Sequence, residues 1–169
     1  MTTAITPIKR SKELAPLSRE HHEGLLFVWK IRHGINKGVD PKRIALFCSW
    51  FWKNHLKAHF QKEEADLGPI LSCEHPALVK MLDEHEAIRQ KIAELANFAT
   101  YESLERLAQV LAYHICYEER QLFPLIEKMA TAEQMRVVHE QLQTANPCQK
   151  IWADEFWRGK TTTLPPTLN

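Results

Sequence analysis

The sequence predicts an all-α protein, built as an antiparallel up-and-down four-helix bundle with a short extra C-terminal helix or two. Three observations predict this class. The chain has only 5 glycines in 169 residues, its apolar residues recur at the three- and four-residue spacing of helices, and patterns typical of strands are nearly absent. With 44% apolar residues, one domain of this length can bury a sizeable core.

Start and stop signals divide the chain into four long helices and a shorter fifth one. Ser18 is a candidate cap for the first helix, and Asp40 caps a second helix that begins with Pro41. The predicted helices cover residues 18–35, 41–67, 76–98, 101–128 and 132–144, and residues 151–157 form a final amphipathic turn or two. Short loops between long helices favour antiparallel neighbours. We expect an N-terminal extension, the bundle, a helical extension and a flexible tail, at residues 1–17, 18–128, 129–158 and 159–169.

Charge and cysteine content exclude several classes of partner. The net charge is +1, with 22 basic and 21 acidic side chains interspersed, which is not the pattern of a nucleic-acid or acidic-membrane binder. The N-terminus lacks the apolar segment of a signal peptide. The four cysteines are far apart and form no C-x-x-C pair, as in proteins of a reducing compartment. We expect a cytoplasmic protein without nucleic-acid or membrane partners, and the composition leaves the oligomeric state open.

One motif occurs twice in the chain. HFQKEEADLGPIL at residues 59–71 and HICYEERQLFPLI at 114–126 share the pattern H-x-x-x-E-E-x-x-L-x-P. Residues four apart lie on the same helix face, so each copy places an imidazole beside a carboxylate on an apolar stripe. These pairs are His59 with Glu63 and His114 with Glu118. A carboxylate buried alone is costly, and a metal ion would compensate two of them.

The other two long helices supply one further histidine each. His85 lies on the apolar stripe of the third helix. In the first helix, His21 and His22 are about 100° apart around the axis. We expect His22 to face inward, because Leu25 and Trp29 follow it as Ile88 and Ile92 follow His85; His21 is the alternative. The second glutamates of the motif, Glu64 and Glu119, are expected to face solvent or to support the ligands rather than bind the metal.

Four imidazoles and two carboxylates form the predicted ligand set, which is arranged as two half-sites. Its members are His22, His59, Glu63, His85, His114 and Glu118. Mixed nitrogen and oxygen ligands fit iron best, with manganese or zinc as alternatives. The ferritin-like Glu-x-x-His spacing is a poor match, because here histidine precedes glutamate by four residues.

These motifs resemble the hemerythrin-like, or HHE cation-binding, proteins. The resemblance covers residues 18–128 and depends on SREHHEGL, HFQKEEADLGPIL, LDEHEAI and HICYEERQLFPLI. It implies a four-helix bundle around a non-haem di-iron centre with a bridging oxo or hydroxo group. By resemblance the four histidines are terminal ligands, and Glu63 and Glu118 bridge the two irons. The implied function is to sense or handle oxygen, peroxide, nitric oxide or iron, with a small diatomic molecule or peroxide as partner.

One departure from the family concerns function. Oxygen-carrying hemerythrins have a fifth histidine one turn before the third-helix ligand, where this chain has Met81. His55, one turn before His59, is a candidate replacement or a supporting residue. Reversible oxygen carriage is therefore not the expected function. Two alternatives are an enzyme that reduces nitric oxide or peroxide or repairs iron–sulfur centres, and a metal-free structural bundle.

Overall fold

A computed structural model of the chain describes residues 9–144 and 150–158, and these residues form five helices and no strand. The all-α prediction is confirmed. Helix α1 is Ala15–Asn36, α3 is Pro76–Asn97 and α5 is Ala132–Thr144. Helix α2 consists of the consecutive segments Pro41–Phe51, Trp52–Leu56, Lys57–Lys62 and Glu63–Leu67, followed by the 3₁₀ turn Gly68–Ile70. Helix α4 consists of Tyr101–Tyr117, Glu118–Leu122 and Phe123–Met129.

Local signals explain most helix starts, with one correction. The Asp40 side chain accepts a hydrogen bond from the Lys42 amide, as predicted for a cap before Pro41. Helix α1, however, begins at Ala15, so Ser18 does not cap it. The Ser18 hydroxyl instead donates to Glu119 Oε1 at 2.7 Å. The residue that looked like a local cap therefore joins α1 to α4.

Long-range contacts show that neighbouring helices run antiparallel. Arg32, late in α1, pairs with Glu105 near the start of α4, whereas His21, early in α1, contacts Glu119 far along α4. Contacts between α1 and α2, and between α2 and α3, likewise join the early part of one helix to the late part of the other. The four long helices thus form the predicted antiparallel bundle.

Three short stretches within α2 and α4 are π-helical. Two of them begin at the first glutamates of the repeated motif, where the Gly68 amide donates to the Glu63 carbonyl and the Phe123 amide to the Glu118 carbonyl. A proline follows each of these two stretches, and it has no N–H for an α-helical bond, which favours a shifted hydrogen-bond ladder. Helix α2 ends soon after Pro69, whereas α4 continues past Pro124 to Met129.

A polar layer divides the core of the bundle into two apolar clusters. The first cluster contains Phe27, Ile31, Phe47 and other side chains from all four long helices. The second contains Leu17, Met81 and residues of α5. The repeated His and Glu side chains lie between the two clusters, at the middle of the bundle.

The C-terminal segment 150–158 is not helical, contrary to the expectation for residues 151–157; it ends in a turn. It is nevertheless part of the core, because Phe156 and Trp157 are buried and their rings lie 5.4 and 5.3 Å from that of Phe47. A side chain at Gly34 would place its Cβ 2.7 Å from the Phe156 ring. The amphipathic pattern of this segment therefore comes from Phe156 and Trp157, which pack into the core, and not from a helix. The predicted tail, residues 159–169, lies outside the described residues.

Candidate metal centre

Six ionisable side chains converge in the polar layer, and each is at most 5% exposed to solvent. Each long helix contributes to the layer: α1 and α3 supply one histidine each, while α2 and α4 each supply a histidine and a glutamate. The six residues are His21, His59, Glu63, His85, His114 and Glu118. Five of the six predicted residues are thus brought together, with His21 as the sixth.

The structure corrects the choice made in the first helix. His22 is exposed, whereas His21 is 3% exposed and faces the other five side chains. The choice of His22 depended on Leu25 and Trp29, yet these two apolar residues are 45% and 50% exposed. The inward face of α1 carries Gly24 instead, since a Cβ at that position would approach Ile115 Cδ1 to 2.8 Å. A glycine contributes nothing to an apolar stripe, so the pattern favoured the wrong face.

Glu63 lies among three imidazoles. Its Oε1 is 3.1 Å from His59 Nε2 and 3.4 Å from His21 Nε2, and its Oε2 is 3.4 Å from His85 Nε2. Two ligand atoms that bind one ion at right angles, each at about 2.1 Å, are about 3 Å apart. The observed separations are close to that value.

Glu118 occupies the equivalent position from the opposite helix. Its Oε2 is 3.0 Å from His21 Nε2 and 3.2 Å from His114 Nε2, and its Oε1 is 3.7 Å from His85 Nε2. Both glutamates therefore lie between the histidines of the two half-sites. This is the position that a carboxylate needs to contact two ions.

The opposite edge of every imidazole contacts a further carboxylate. The Nδ1 atoms of His21, His59, His85 and His114 lie 2.6, 2.7, 2.7 and 2.9 Å from Glu119, Glu20, Glu64 and Glu84, respectively. An ionised carboxylate can only accept, so Nδ1–H donates, and Nε2 of a neutral ring presents its lone pair to the centre. Carboxylates commonly orient metal-binding histidines in this way.

The sequence indicated only half of these supporting carboxylates. Glu64 and Glu119, the second glutamates of the motif, support His85 and His21, which confirms one of the two roles expected for them. Glu20 and Glu84 were missed. Each directly precedes a histidine of the centre, and this shared Glu-His pair was the available signal. Each supports a histidine on a different helix, so the pairing required the fold.

The charges inside the layer shift its pKa values strongly. Burial alone would lower the pKa of His21, but the adjacent carboxylates of Glu118, Glu119 and Glu63 raise it well above the ordinary range. His85 shows the same balance, with its pKa raised to about 9. Burial would raise the pKa of Glu63, but the surrounding imidazoles hold it well below its usual value. A cationic charge is therefore strongly favoured between these carboxylates.

The hydrogen bonding of the layer is incomplete within the protein. Among the described residues, all four oxygens of Glu63 and Glu118 are buried without a hydrogen-bond partner, and so are the Nε2 atoms of His21, His85 and His114. Such atoms are costly unless something binds them. The donor atoms form two groups, each of two histidines and both glutamates, and the atoms of a group lie within 4.8 Å of one another. The residues fit two metal ions that share the two carboxylates.

Two residues were considered in connection with a fifth histidine ligand: Met81, which stands in its place, and His55, the candidate replacement. Met81 is fully buried one turn before His85 and belongs to the second apolar cluster. His55 is not part of either donor group; its ring stacks on Phe51 at 4.7 Å. Neither residue adds a fifth imidazole to the centre.

A comparison with protein families finds a match over most of the chain. The sequence model of the hemerythrin HHE cation-binding domain matches residues 14–126, and it matches a second time at residues 80–145. No curated protein and no solved structure matches the chain. None of the described helices is long and apolar enough to cross a membrane. The first match covers well over half of the 169 residues, and the chain therefore belongs to the hemerythrin HHE cation-binding family.

Proposed function

We propose that the polar layer holds two iron ions with a bridging oxo or hydroxo group, and that this di-iron centre senses or handles oxygen, peroxide, nitric oxide or iron. The observation that carries the proposal is the set of buried donor atoms without partners. A bundle that served only as structure would not need carboxylate and imidazole atoms left unpaired in its core. Mixed nitrogen and oxygen donors favour iron over softer metals.

Each side chain has a role in this proposal. His21 and His59 bind one ion, and His85 and His114 bind the other. Glu63 and Glu118 bridge both ions, because their oxygens face histidines of both pairs. When bound, iron would supply redox chemistry and Lewis acidity at this layer.

The chain provides two imidazoles and two carboxylate oxygens for each ion, which leaves room for small exchangeable molecules. The side chains one turn before the α1 and α3 histidines are Leu17 and Met81, both fully buried. A thioether is a poor ligand for hard ferric iron. Apolar walls at these positions suit a small uncharged guest better than a charged metabolite. The chain is therefore proposed to handle a diatomic gas or peroxide rather than to carry oxygen reversibly.

We also propose a cytoplasmic location. Cys48, Cys73 and Cys116 are free thiols, and the last two are exposed. Exposed free thiols are typical of a reducing compartment.

Single substitutions test the bridging role. Glu63→Ala and Glu118→Ala should each lose both ions, because each carboxylate contacts both histidine pairs. Glu64→Gln should keep both ions but bind the ion held by His85 about 10–100-fold more weakly, since it loosens His85 without removing a ligand. The control is Glu102→Ala, an exposed glutamate on α4 (74% exposed), which should match the wild type.

The measurement is the iron content per chain, by elemental analysis of each variant purified from iron-replete cells, with circular dichroism to verify folding. Folded Glu63→Ala or Glu118→Ala protein that retains two irons would refute the bridging assignment.

A further inference from the structure

Arg10 interacts with His21 indirectly, through two intervening side chains. Its Nη2 donates to Glu119 Oε2 at 2.8 Å, and Glu119 in turn accepts from His21 Nδ1. Its guanidinium also lies 5.1 Å from the centre of the Phe123 ring, and Phe123 stacks on the His21 imidazole at 5.2 Å with an interplanar angle of 12°. One arginine therefore constrains both the edge and the face of the same imidazole.

Arg89 reaches His85 in the same way. It forms an ion pair with Glu64, which accepts from His85 Nδ1 at 2.7 Å. Its guanidinium lies 5.8 Å from the centre of the Phe60 ring, and Phe60 stacks on His85 at 3.7 Å with an interplanar angle of 5°. Arginine, carboxylate, phenylalanine and imidazole thus have the same arrangement at both half-sites.

The two arginines come from non-equivalent places in the sequence. Arg89 lies four residues after His85 within α3, and the corresponding residue four after His21 in α1 is Leu25, which is 45% exposed. Arg10 comes instead from the segment before α1, outside the residues 14–126 matched by the family model. The N-terminal segment therefore supplies the guanidinium that α1 itself does not supply.

We propose that Arg10 and Arg89 are positioning residues of the metal centre, each of which orients one imidazole through its carboxylate and its stacked phenylalanine. Arg10 positions His21, and Arg89 positions His85. The inference rests on the proposed function, because it concerns how firmly the two ions are held. A planar guanidinium suits both contacts, since it bonds a carboxylate and stacks on an aromatic face, whereas a lysine reproduces only the charge.

Arg10 and Arg89 differ in burial, so we expect them to contribute unequally to metal binding. The Arg10 side chain is 8% exposed and its partner Glu119 is 17% exposed, against 31% for Arg89 and 29% for Glu64. Water and salt weaken the Arg89 pair more. Substitution of Arg10 should therefore loosen its ion more than substitution of Arg89 loosens the other.

The test uses the full-length protein loaded anaerobically with two equivalents of Fe²⁺, followed by release of iron to a ferrous chelator. Arg10→Met should speed the release of one equivalent about tenfold, the lower end of the range for residues that orient metal ligands. Arg89→Met should have a smaller effect, and Arg10→Lys should lie between Arg10→Met and the wild type. The matched control is Arg32→Met, which breaks an α1–α4 ion pair with Glu105 far from the centre.

Mössbauer spectroscopy of ⁵⁷Fe-loaded protein separates positioning from general loosening. In Arg10→Met, one of the two iron signals should change and the other should keep its wild-type parameters, and in Arg89→Met the reverse should hold. Folded Arg10→Met and Arg10→Lys with wild-type release rates and spectra would overturn the inference alone. Equal changes in both signals would also overturn it. A wild-type protein that takes up no iron would overturn the proposed function and this inference together.

Discussion

Raising the pH should destabilise the metal-free protein, and bound iron should remove this pH dependence. In the metal-free centre, protons on the histidines balance the buried carboxylates Glu63 and Glu118. Deprotonation removes that balance and leaves two buried negative charges close together. Metal ions replace the protons, so the iron-loaded protein does not depend on them.

The magnitude follows from His85, which is fully buried. Burial lowers its pKa, but the adjacent carboxylates of Glu118 and Glu63 raise it overall from 6.5 to about 9. A folded-state pKa above the unfolded one stabilises the fold below pH 6.5, and this contribution is lost as the pH rises through about 9. At 1.36 kcal/mol per unit, the loss is about 3 kcal/mol. The raised pKa values of His21 and His59 act in the same direction.

The assay is urea denaturation, followed by circular dichroism, of chelator-treated protein across this pH range. The free energy of unfolding should fall by about 3 kcal/mol or more. With iron present, the stabilisation by metal should grow with pH, because protons compete less for the imidazoles. His85→Asn should flatten the slope of the metal-free protein, whereas substitution of the exposed His22 by Asn should not.

A metal-free protein whose stability is constant or rises over this range would refute the reasoning. So would an iron-dependent stabilisation that shrinks as the pH rises, because ligands that must lose protons cannot bind iron better in acid.

Three further predictions concern single residues. His21→Ala should lose iron while His22→Ala retains it, as measured by elemental analysis, because only His21 faces the glutamates; the opposite result would restore the sequence-based choice. Gly34→Ala should lower the free energy of unfolding by about 1–3 kcal/mol in thermal denaturation, because its Cβ would lie 2.7 Å from the Phe156 ring; an unchanged value would contradict that packing. Met81→His should slow air oxidation of the reduced, iron-loaded protein in stopped-flow absorbance, because an added imidazole occupies an exchangeable position; faster oxidation would contradict the proposed open site.

The repeated motif made much of the centre predictable. A histidine and a glutamate four residues apart share a helix face whatever the rest of the fold does, so His59, Glu63, His114 and Glu118 could be grouped from spacing alone. His85 followed from its place within an apolar stripe. Local periodicity was sufficient for these residues because their own helices direct them inward.

The sequence was misleading where contacts between distant residues determine the position of a side chain. The apolar side chains beside His22 face solvent, and the position of His21 depends on Glu118 and Glu119, about a hundred residues away. Arg10 lies in the predicted N-terminal extension, residues 1–17, and nothing in its local sequence links it to Glu119. Such pairings join distant parts of the chain and leave no periodic signal.

The central claim is that one chain binds two iron ions through shared carboxylates. Its most direct test is an anaerobic titration of metal-free protein with Fe²⁺, followed by elemental analysis of the desalted product. The account predicts two equivalents per chain, and neither equivalent should be retained when Glu63 or Glu118 is replaced by Ala. A plateau at one equivalent, or no retained iron in folded wild-type protein, would contradict it.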